Sequence, residues 1–449
     1  MKLFLKRVTI FVLAFAFFGS VFAQTIEQFG APEWSKGLSI YEVNLRQYTP
    51  SGTIKEFMGH LPRLKKMGVG ILWLMPVNPI GEINRKGTLG SYYSVKDYVG
   101  INSELGTTED FKLLVNKVHE MGMYLIIDWV ANHTSWDNEQ AKLHPEFYKK
   151  DKSGNFIPPV PDWKDVIALN YENKDLWNYM TGAMSYWVKE CNIDGFRCDV
   201  ASFLPNAFWQ FAIPKLQKIK PVFMLAEAEE VEMHDKAFNM TYSWDLYHLG
   251  IDVADGKKKP SSLLSRINYE LKKYPLDGYR MRFTTNHDEN SWNGTSVERF
   301  KKTVDAANVF MATVPGMFMV YSGQEAGEPK RLDFFERDPI KWAEHSNKEL
   351  FTKLIMLKKN NQALWNGKDG GEFIALTDST SDLISYLRVG KKSSVLVFLN
   401  FTDKEQTVAV GNRKLKGLWK NYFEEKTVRI GGNYQIKIKP YGYSVWVKE

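Results

Sequence analysis

The segment Ile193-Asp-Gly-Phe-Arg-Cys-Asp-Val-Ala201 has the composition of a buried β-strand that ends in charged groups. Seven other short segments are similarly rich in β-forming residues, and amphipathic segments with helical spacing lie between them. The eight predicted strands cover residues 38–48, 69–77, 123–133, 193–201, 222–229, 240–248, 280–288 and 317–322. Eight strands that alternate with helices predict an α/β protein built on a closed parallel (β/α)8 TIM barrel.

Two helical segments show the spacing most clearly. Apolar residues recur every three or four positions from Ile54 to Met67, and again from Phe111 to Met121. The sequence Thr107-Thr-Glu-Asp110 precedes the second segment and predicts an N-terminal cap for that helix.

Two regions depart from the alternation of strands and helices. Residues 134–169 form a Pro- and Asp-rich stretch after the third strand, and connections of this length are usually functional. Beyond residue 369, short alternating strands with turn signals replace the helical pattern. We therefore expect a barrel domain over residues 24–369 with a short inserted segment at 134–169, followed by a C-terminal antiparallel β-sandwich over 370–449.

The N-terminus has the three parts of an export signal. Lys2, Lys6 and Arg7 precede an apolar run at residues 8–18, and Val21-Phe-Ala23 offers small residues at the cleavage positions. We predict that residues 1–23 are a signal peptide, and that the mature chain is secreted or periplasmic and leaves the membrane after cleavage. Loss of the three basic residues would lower the formal net charge from +7 to about +4. So small a charge does not indicate nucleic acid as a partner and agrees with a neutral polysaccharide.

Cys191 and Cys198 are the only cysteines. A disulfide between them is conceivable in an exported protein, but Cys198 lies in a predicted buried strand. We predict two buried free thiols.

Charged and polar side chains lie where four of the predicted strands end. In a parallel barrel these strand ends meet at one rim, where the active sites of such barrels form. One motif alone indicates little, because an acid at a strand end is more often a helix cap or an ion-pair partner. Together they place three carboxylates, an Arg and two His at one rim, which predicts a catalytic site. The four motifs are Asp128-Trp-Val-Ala-Asn-His133, Gly195-Phe-Arg-Cys-Asp-Val-Ala201, Leu225-Ala-Glu-Ala-Glu229 and Asn286-His-Asp288.

These four motifs, in this order and on these strands, resemble the signature regions of the α-amylase family of glycoside hydrolases. The resemblance extends over the barrel, the inserted segment and the C-terminal sandwich. It implies a retaining hydrolase that cleaves α-glucosidic bonds, mainly α-1,4, in starch or maltooligosaccharides. An α-glucan is then the expected partner, and the oligomeric state stays open.

The resemblance assigns the chemistry to three carboxylates. Asp199 is similar to the family's nucleophile, Glu227 to its general acid and base, and Asp288 to the acid that stabilises the transition state. Arg197 lies two residues before Asp199, so strand alternation would point both side chains into the same mouth. There the guanidinium would hold the carboxylate charged. Glu229 lies on the same strand face as Glu227 and is its rival.

Sugar-binding roles follow from the same resemblance. His133 and His287 are similar to residues that donate hydrogen bonds to sugar hydroxyls, although a structural histidine is the ordinary alternative. Tyr93 matches the aromatic platform under the cleaved sugar, with Tyr92 as its competitor.

The resemblance also raises the question of calcium. Asn132 matches a position that is commonly a calcium ligand in the family, and Asp128 one with an inner structural role. Ser202-Phe203 stands where many α-amylases have Lys-His, whose His carbonyl often joins the calcium shell. We therefore expect at most one calcium ion, bound weakly, and no other cofactor. Further oxygen ligands could come from Asp137, Asp151, Asp162 and Asp165.

The motifs are also compatible with other functions. An α-glucosidase, a neopullulanase-like enzyme or a transglycosylase would share every motif. A non-catalytic carbohydrate-binding barrel has no need of three carboxylates. A metal-dependent barrel hydrolase would need clustered ligands with spacings such as His-x-His, which the sequence lacks.

Overall fold

The computed structural model describes residues 29–342, 347–378 and 381–448. The predicted signal peptide, residues 1–23, lies outside these ranges. None of the helices described within them has both the length and the apolar character needed to cross a membrane.

The first ten strands include all eight that the sequence predicts. They are β1 (Ile40–Val43), β2 (Ile71–Leu74), β3 (Tyr124–Trp129), β4 (His133–Ser135), β5 (Val166–Ala168), β6 (Gly195–Cys198), β7 (Phe223–Ala226), β8 (Met240–Tyr242), β9 (Tyr279–Arg282) and β10 (Met317–Tyr321). Eight of them form a closed parallel barrel in the order β1-β10-β9-β8-β7-β6-β3-β2, and β1 pairs with both β10 and β2. The predicted barrel is confirmed.

The barrel strands alternate with helices, as the apolar spacing predicts. The helices are α1 (Leu45–Tyr48), α2 (Ile54–Met58), α3 (Leu61–Met67), α4 (Thr108–Glu120), α5 (Gln140–Leu143), α6 (Lys174–Glu190), α7 (Asn206–Gln217), α8 (Trp244–Ala254), α9 (Ser261–Lys273), α10 (Ser296–Phe300), α11 (Val304–Thr313) and α12 (Lys348–Asn360). The cap predicted for α4 is present, because Thr107 Oγ1 accepts from the Asp110 N–H and Asp110 Oδ2 accepts from the Thr107 N–H.

Every predicted strand is shorter in the structure than the sequence suggests, and one predicted helix is divided. The helix expected from Ile54 to Met67 is divided into α2 and α3, because Pro62 in the first turn of α3 has no N–H to continue the ladder. The strand expected at 240–248 ends at Tyr242, and α8 begins at Trp244. The strand expected at 280–288 ends at Arg282, and Asp288 lies beyond it, directly before the helical turn Glu289–Asn293.

The chain beyond the last helix is antiparallel. Its strands are β11 (Glu372–Ala375), β12 (Leu383–Val389), β13 (Ser394–Asn400), β14 (Gln406–Gly411), β15 (Gly417–Asn421), β16 (Thr427–Ile430), β17 (Asn433–Ile438) and β18 (Tyr443–Lys448). Six form a sheet in the order β11-β12-β13-β18-β15-β16, and β14 pairs with β17. Along β13, Val395 and Val397 pack into the barrel core, while Leu396 and Phe398 pack with Val410 of the small sheet. The alternation produces the predicted sandwich.

The inserted segment is joined to the rim of the barrel by its own small sheet. β4 and β5 pair antiparallel, with His133 opposite Ala168, so the two ends of the segment lie side by side. Cys191 and Cys198 are buried and unpaired, as predicted.

Candidate active site

Backbone pairing brings Asp199 and Glu227 to adjacent places on the rim. Each residue follows the last residue of its strand, β6 or β7, and continues the ladder for one more bond. The Asp199 N–H donates to the Trp129 carbonyl at 3.0 Å, and the Glu227 N–H donates to the Cys198 carbonyl at 3.0 Å. The strands approach closely here, because a Cβ at Gly195 would lie 1.9 Å from the Phe223 carbonyl oxygen. Glycine is therefore required at that position.

Arg197 connects the carboxylates of the rim. Its Nη1 contacts Asp199 Oδ1 at 3.1 Å, and its Nη2 lies 2.7 Å from Glu227 Oε2. The guanidinium is fully buried, whereas the two carboxylates keep 10% and 15% of their side-chain surface exposed. The alternation of β6 thus points Arg197 and Asp199 into the same mouth, as predicted.

Asp128 lies beneath these groups and has no exposed surface. Arg197 Nη1 contacts both of its oxygens, at 2.9 and 3.0 Å, and Trp73 Nε1 donates to it at 3.3 Å. A buried carboxylate with these donors can hold the guanidinium in place. This arrangement agrees with the inner structural role expected for Asp128.

A second chain of contacts runs from the buried strand β1 to Asp288. Glu42 Oε1 lies 2.5 Å from His287 Nδ1, and His287 Nε2 lies 2.7 Å from the Tyr93 hydroxyl. The same nitrogen is 3.3 Å from Asp288 Oδ2. Both ring nitrogens of His287 therefore face protein groups, so the histidine orients Tyr93 and Asp288 from below.

The site contains more carboxyl groups than cations. Two cations, Arg197 and His287, face the carboxyls of Glu42, Asp128, Asp199, Glu227 and Asp288. With so few cations to neutralise them, the carboxyls cannot all be ionised at low cost in a buried site. The site is therefore suited to retaining a proton.

The pKa shifts follow this imbalance. Burial raises the pKa of Asp199 well above its usual value, with the Arg197 guanidinium acting in the opposite direction. Burial also opposes ionisation of Asp288, but the adjacent His287 lowers the pKa of that carboxyl. For His287 burial lowers the pKa, yet Asp288 and Glu42 outweigh it and raise the pKa well above 6.5.

A cavity of about 290 Å³ opens above these groups. Its floor and sides include the three carboxylates predicted to be catalytic, together with Tyr93 and His133. Arg197 and His287 lie behind this surface and act through the groups that line it. Aromatic side chains form the walls and suit the C–H faces of sugar rings. They are Trp163, Trp292, Phe334 and Phe335.

The two alternatives left by the sequence lie away from this cavity. Glu229 forms an ion pair with Arg280 at 2.7 Å and accepts from the Asp245 N–H. Tyr92 packs under the guanidinium of Arg46 at 4.0 Å and donates to Asn44 Oδ1. The geometry therefore favours Glu227 and Tyr93 for the predicted roles.

Val200 has a backbone conformation that is rare for its residue type. Its φ of 36° and ψ of 47° lie in the left-handed region, which strains a β-branched residue. The conformation directs the Val200 N–H at Glu227 Oε2, to which it donates at 2.8 Å. Strain next to the predicted nucleophile therefore serves to orient the predicted acid.

Most of the residues expected to bind calcium contact other protein groups. Asn132 is buried with its amide nitrogen 3.3 Å from His133 Nδ1. Asp137 pairs with Lys96 at 3.3 Å and Asp165 with Lys86 at 2.8 Å, while Asp151 accepts from the N–H groups of its own turn. Across the described ranges, three or more acidic, His or Cys side chains are nowhere grouped so as to hold a metal ion.

Sequence reasoning missed several residues of the site. Glu42 was detectable in principle, because it is an acid inside the apolar strand Ile40-Tyr-Glu-Val43. The aromatic walls gave no such signal. Trp163 is one of many aromatic residues in the chain, and Phe334 reaches the cavity from the loop after β10.

Comparisons with known proteins agree with this geometry. The family model described as the catalytic domain of α-amylase matches residues 27–159 and 160–212. An α-amylase 2 of Dictyoglomus thermophilum is 28% identical over 428 residues, which cover 85% of this chain and 72% of that protein.

Two solved structures are similar over nearly their whole length. An α-amylase from Lactobacillus plantarum is 28% identical with a TM-score of 0.82, and the match covers 92% of this chain and 99% of that one. A noncanonic maltogenic α-amylase, AmyB, from Thermotoga neapolitana is 31% identical with a TM-score of 0.83, and the match covers 92% and 98%. With this identity, coverage and site geometry, the chain belongs to the α-amylase family of glycoside hydrolases.

Proposed function

We propose that this enzyme hydrolyses α-glucosidic bonds, mainly α-1,4, in starch or maltooligosaccharides with retention of the anomeric configuration. The observation that carries the proposal is the contact of Asp199 and Glu227 with one guanidinium, that of Arg197, at 3.1 and 2.7 Å. Two carboxyls held by one side chain are close neighbours. Retaining glycosidases place their two carboxyls about 5–5.5 Å apart, whereas inverting ones need a wider gap for water.

The contacts distinguish the two oxygens of each carboxyl. Arg197 binds Asp199 through Oδ1, so Oδ2 is the oxygen that would attack the anomeric carbon. Arg197 and the Val200 N–H both approach Oε2 of Glu227, so Oε1 is the oxygen that would carry the acid proton.

The proposed reaction has two displacements. In the first, Asp199 Oδ2 forms a bond to the anomeric carbon while the glycosidic oxygen leaves and takes the proton of Glu227. In the second, Glu227 removes a proton from water, the water oxygen bonds to the anomeric carbon, and the Asp199 ester breaks. Asp288, kept ionised by His287, would stabilise the positive charge that develops on the sugar ring.

The stereochemistry tests this mechanism directly. Proton NMR of maltooligosaccharide during the first minutes of cleavage should show the α-anomer of the new reducing end before mutarotation begins. Early β-anomer would identify an inverting reaction and would remove Asp199 from the role of nucleophile.

An aromatic pair beside the cavity bears on the substrate range and on the balance between hydrolysis and transfer. Trp163 lines the cavity and stacks on the exposed Phe203, with ring centroids 6.4 Å apart and planes inclined by 12°. An aromatic pair near the acid could hold an acceptor sugar, which favours some transfer alongside hydrolysis. Chromatography of the products from starch, maltoheptaose, pullulan and sucrose would separate these activities, because transfer yields products longer than the substrate.

We also propose that the enzyme acts outside the cytoplasm. The support is the pattern of charged, apolar and small residues over positions 1–23. Cell fractionation with N-terminal sequencing of the mature protein would test it, and Gln24 is the expected first residue.

A further inference from the structure

A second cavity of about 400 Å³ lies at the end of the barrel opposite the active site. It is lined by Gly278, which precedes β9, and by Gly316, which precedes β10. Phe373 and Arg388, from β11 and β12, complete it from the C-terminal sheet. Its volume is in the range of small-molecule sites, which often lie between domains.

Cations outnumber carboxylates among the charged residues that line this cavity, because three arginines and Lys368 face Glu270 and Glu372. Arg280, Arg282 and Arg388 all line it, and each has at most 4% of its surface exposed. The carboxylates that line it already have partners. Glu270 pairs with Arg282 at 2.7 Å, and the exposed Glu372 pairs with Lys414.

Among the described residues, none carries a charge that compensates Arg388. Its Nη1 donates to the Thr313 carbonyl at 2.8 Å, and its Nε and Nη2 donate to the Gly371 carbonyl at 3.3 and 3.2 Å. Among the residues that the structure describes, no carboxylate lies within ion-pairing distance of it. Three carbonyl contacts hold the guanidinium in position but leave its charge unbalanced, which is costly in a buried site.

The buried Lys358 interacts with Arg388 and Arg282 and makes the imbalance larger. Lys358 is fully buried and donates to the carbonyls of Gly316 and Leu364, both at 2.6 Å. Burial, together with the charges of Arg388 and Arg282, depresses the pKa of Lys358. Burial likewise lowers the pKa of Arg388 to about 9. An anion in the cavity would reduce the repulsion among all three groups.

The cavity also offers room and apolar surface beside the guanidinium groups. A Cβ at Gly316 would lie 2.6 Å from Arg282 Nε, so the absence of a side chain there leaves room beside that buried guanidinium. The rings of Trp365 and Phe373 line the same space. Guanidinium groups beside aromatic faces suit a ligand that combines an oxyanion with a flat or ring-shaped body.

We propose that this cavity binds a phosphate-type oxyanion, either free or esterified to a small sugar, through Arg388 and Arg282. The ligand would bridge the barrel and the C-terminal sheet, because Arg282 belongs to β9 and Arg388 to β12. None of the residues that line this cavity lines the active-site cavity, so the proposed ligand does not contact the catalytic carboxylates.

Thermal unfolding and calorimetry of the full chain test the proposal. Inorganic phosphate should raise the Tm by roughly 2 °C at about ten times Kd, relative to chloride at equal ionic strength. Arg388→Gln should weaken phosphate binding at least about ten-fold, since a bidentate charged contact is lost. Arg429→Gln, an exposed arginine of β16, is the matched control and should bind as the wild type does.

Calorimetry with glucose 1-phosphate distinguishes a sugar phosphate from free phosphate as the ligand. Tighter binding of glucose 1-phosphate than of phosphate would identify a sugar ester, and equal binding would identify the oxyanion alone. If Arg388→Gln does not fold, broadening of the phosphorus NMR signal by the wild type, reversed by sulfate, gives the same information. Equal Tm changes in phosphate and chloride, or unchanged binding by Arg388→Gln, would overturn the proposal.

Discussion

The two ends of the barrel bury opposite charge. At the rim where the strands end, five carboxyls surround two cations, Arg197 and His287. At the end where β9 and β10 begin, Arg282 has a carboxylate partner and Arg388 has none among the described residues. Each imbalance of buried charge destabilises the folded protein, and each indicates which charge the cavity binds. Excess carboxyls suit a proton and a cationic transition state, whereas excess guanidinium groups suit an anion.

Removing a carboxylate at the acidic end should have the largest effect. Asp199→Asn or Glu227→Gln should lower kcat by about 10³-fold or more, because both groups act in the same two displacements. Circular dichroism and Tm should remain close to wild type. Glu229→Gln is the matched control, since that carboxylate pairs with Arg280 outside the cavity, and it should retain most activity.

An Asp199→Asn enzyme that keeps a tenth of the wild-type rate would contradict the assignment. It would also weaken the comparison between the two ends, because the excess of carboxyls at the rim would then have no catalytic purpose.

Weakening the cation at the acidic end should have the next largest effect. Arg197→Lys keeps one charge but cannot contact Asp128, Asp199 and Glu227 together. Burial raises the pKa of Asp199 and the guanidinium opposes that rise, so a poorer cation should raise the pKa further. Asp199 must be ionised to attack, so the acid limb of the kcat/KM profile should move to higher pH, with kcat lower by about 10- to 100-fold. An unshifted acid limb would show that Arg197 does not control this ionisation.

At the basic end, a smaller effect is expected from His234. It is buried beside Arg280, contacts Thr241 Oγ1 through Nε2, and burial lowers its pKa to about 4. In the unfolded chain the histidine pKa is near 6.5. Between about pH 6.5 and pH 4 the unfolded chain therefore binds a proton that the folded chain does not bind. Stability should therefore fall as the pH drops from about 6.5 towards 4.

His234→Gln should make the free energy of unfolding depend less steeply on pH, because up to one proton fewer is taken up on unfolding. That corresponds to a slope lower by about 1.4 kcal/mol per pH unit. Urea unfolding at pH 7, 6 and 5 would measure it, with the exposed His248→Gln as control. Parallel curves for wild type and His234→Gln would show that other groups cause the acid sensitivity.

The smallest effect is expected from removal of calcium. The aspartates around the inserted segment are paired with lysines or with their own backbone, so EDTA dialysis should leave most activity and change the Tm little. Complete inactivation that calcium alone reverses would show a ligand set in residues 134–169 that these contacts do not reveal.

The barrel could be predicted from sequence because its signal is local. Each strand has its own β-rich run, and the Thr107 cap predicts the start of α4.

The ends of the elements were less predictable, as β8 shows. The aromatic run after Tyr242 has strand-like composition, but the buried residues Leu246, Tyr247, Gly250 and Ile251 recur with helical spacing. The chain therefore turns into α8.

The site was predictable only where its motifs lie on the chain. Asp199 and Arg197 are two positions apart, whereas Glu42 and His287 are separated by 245 positions and meet through barrel closure. The basic cavity was even less predictable, since Arg282 belongs to the barrel strand β9 and Arg388 to β12 of the C-terminal sheet. Neither residue stands in a motif, so only the assembled structure makes their shared surface visible.

The left-handed backbone of Val200 has a consequence for evolution. A non-glycine residue in this region costs about 1–2 kcal/mol, so a library screened for heat resistance should favour glycine at position 200. The same exchange would relax the turn that aims its N–H at Glu227. Selection for stability and selection for activity would then favour different residues at this position.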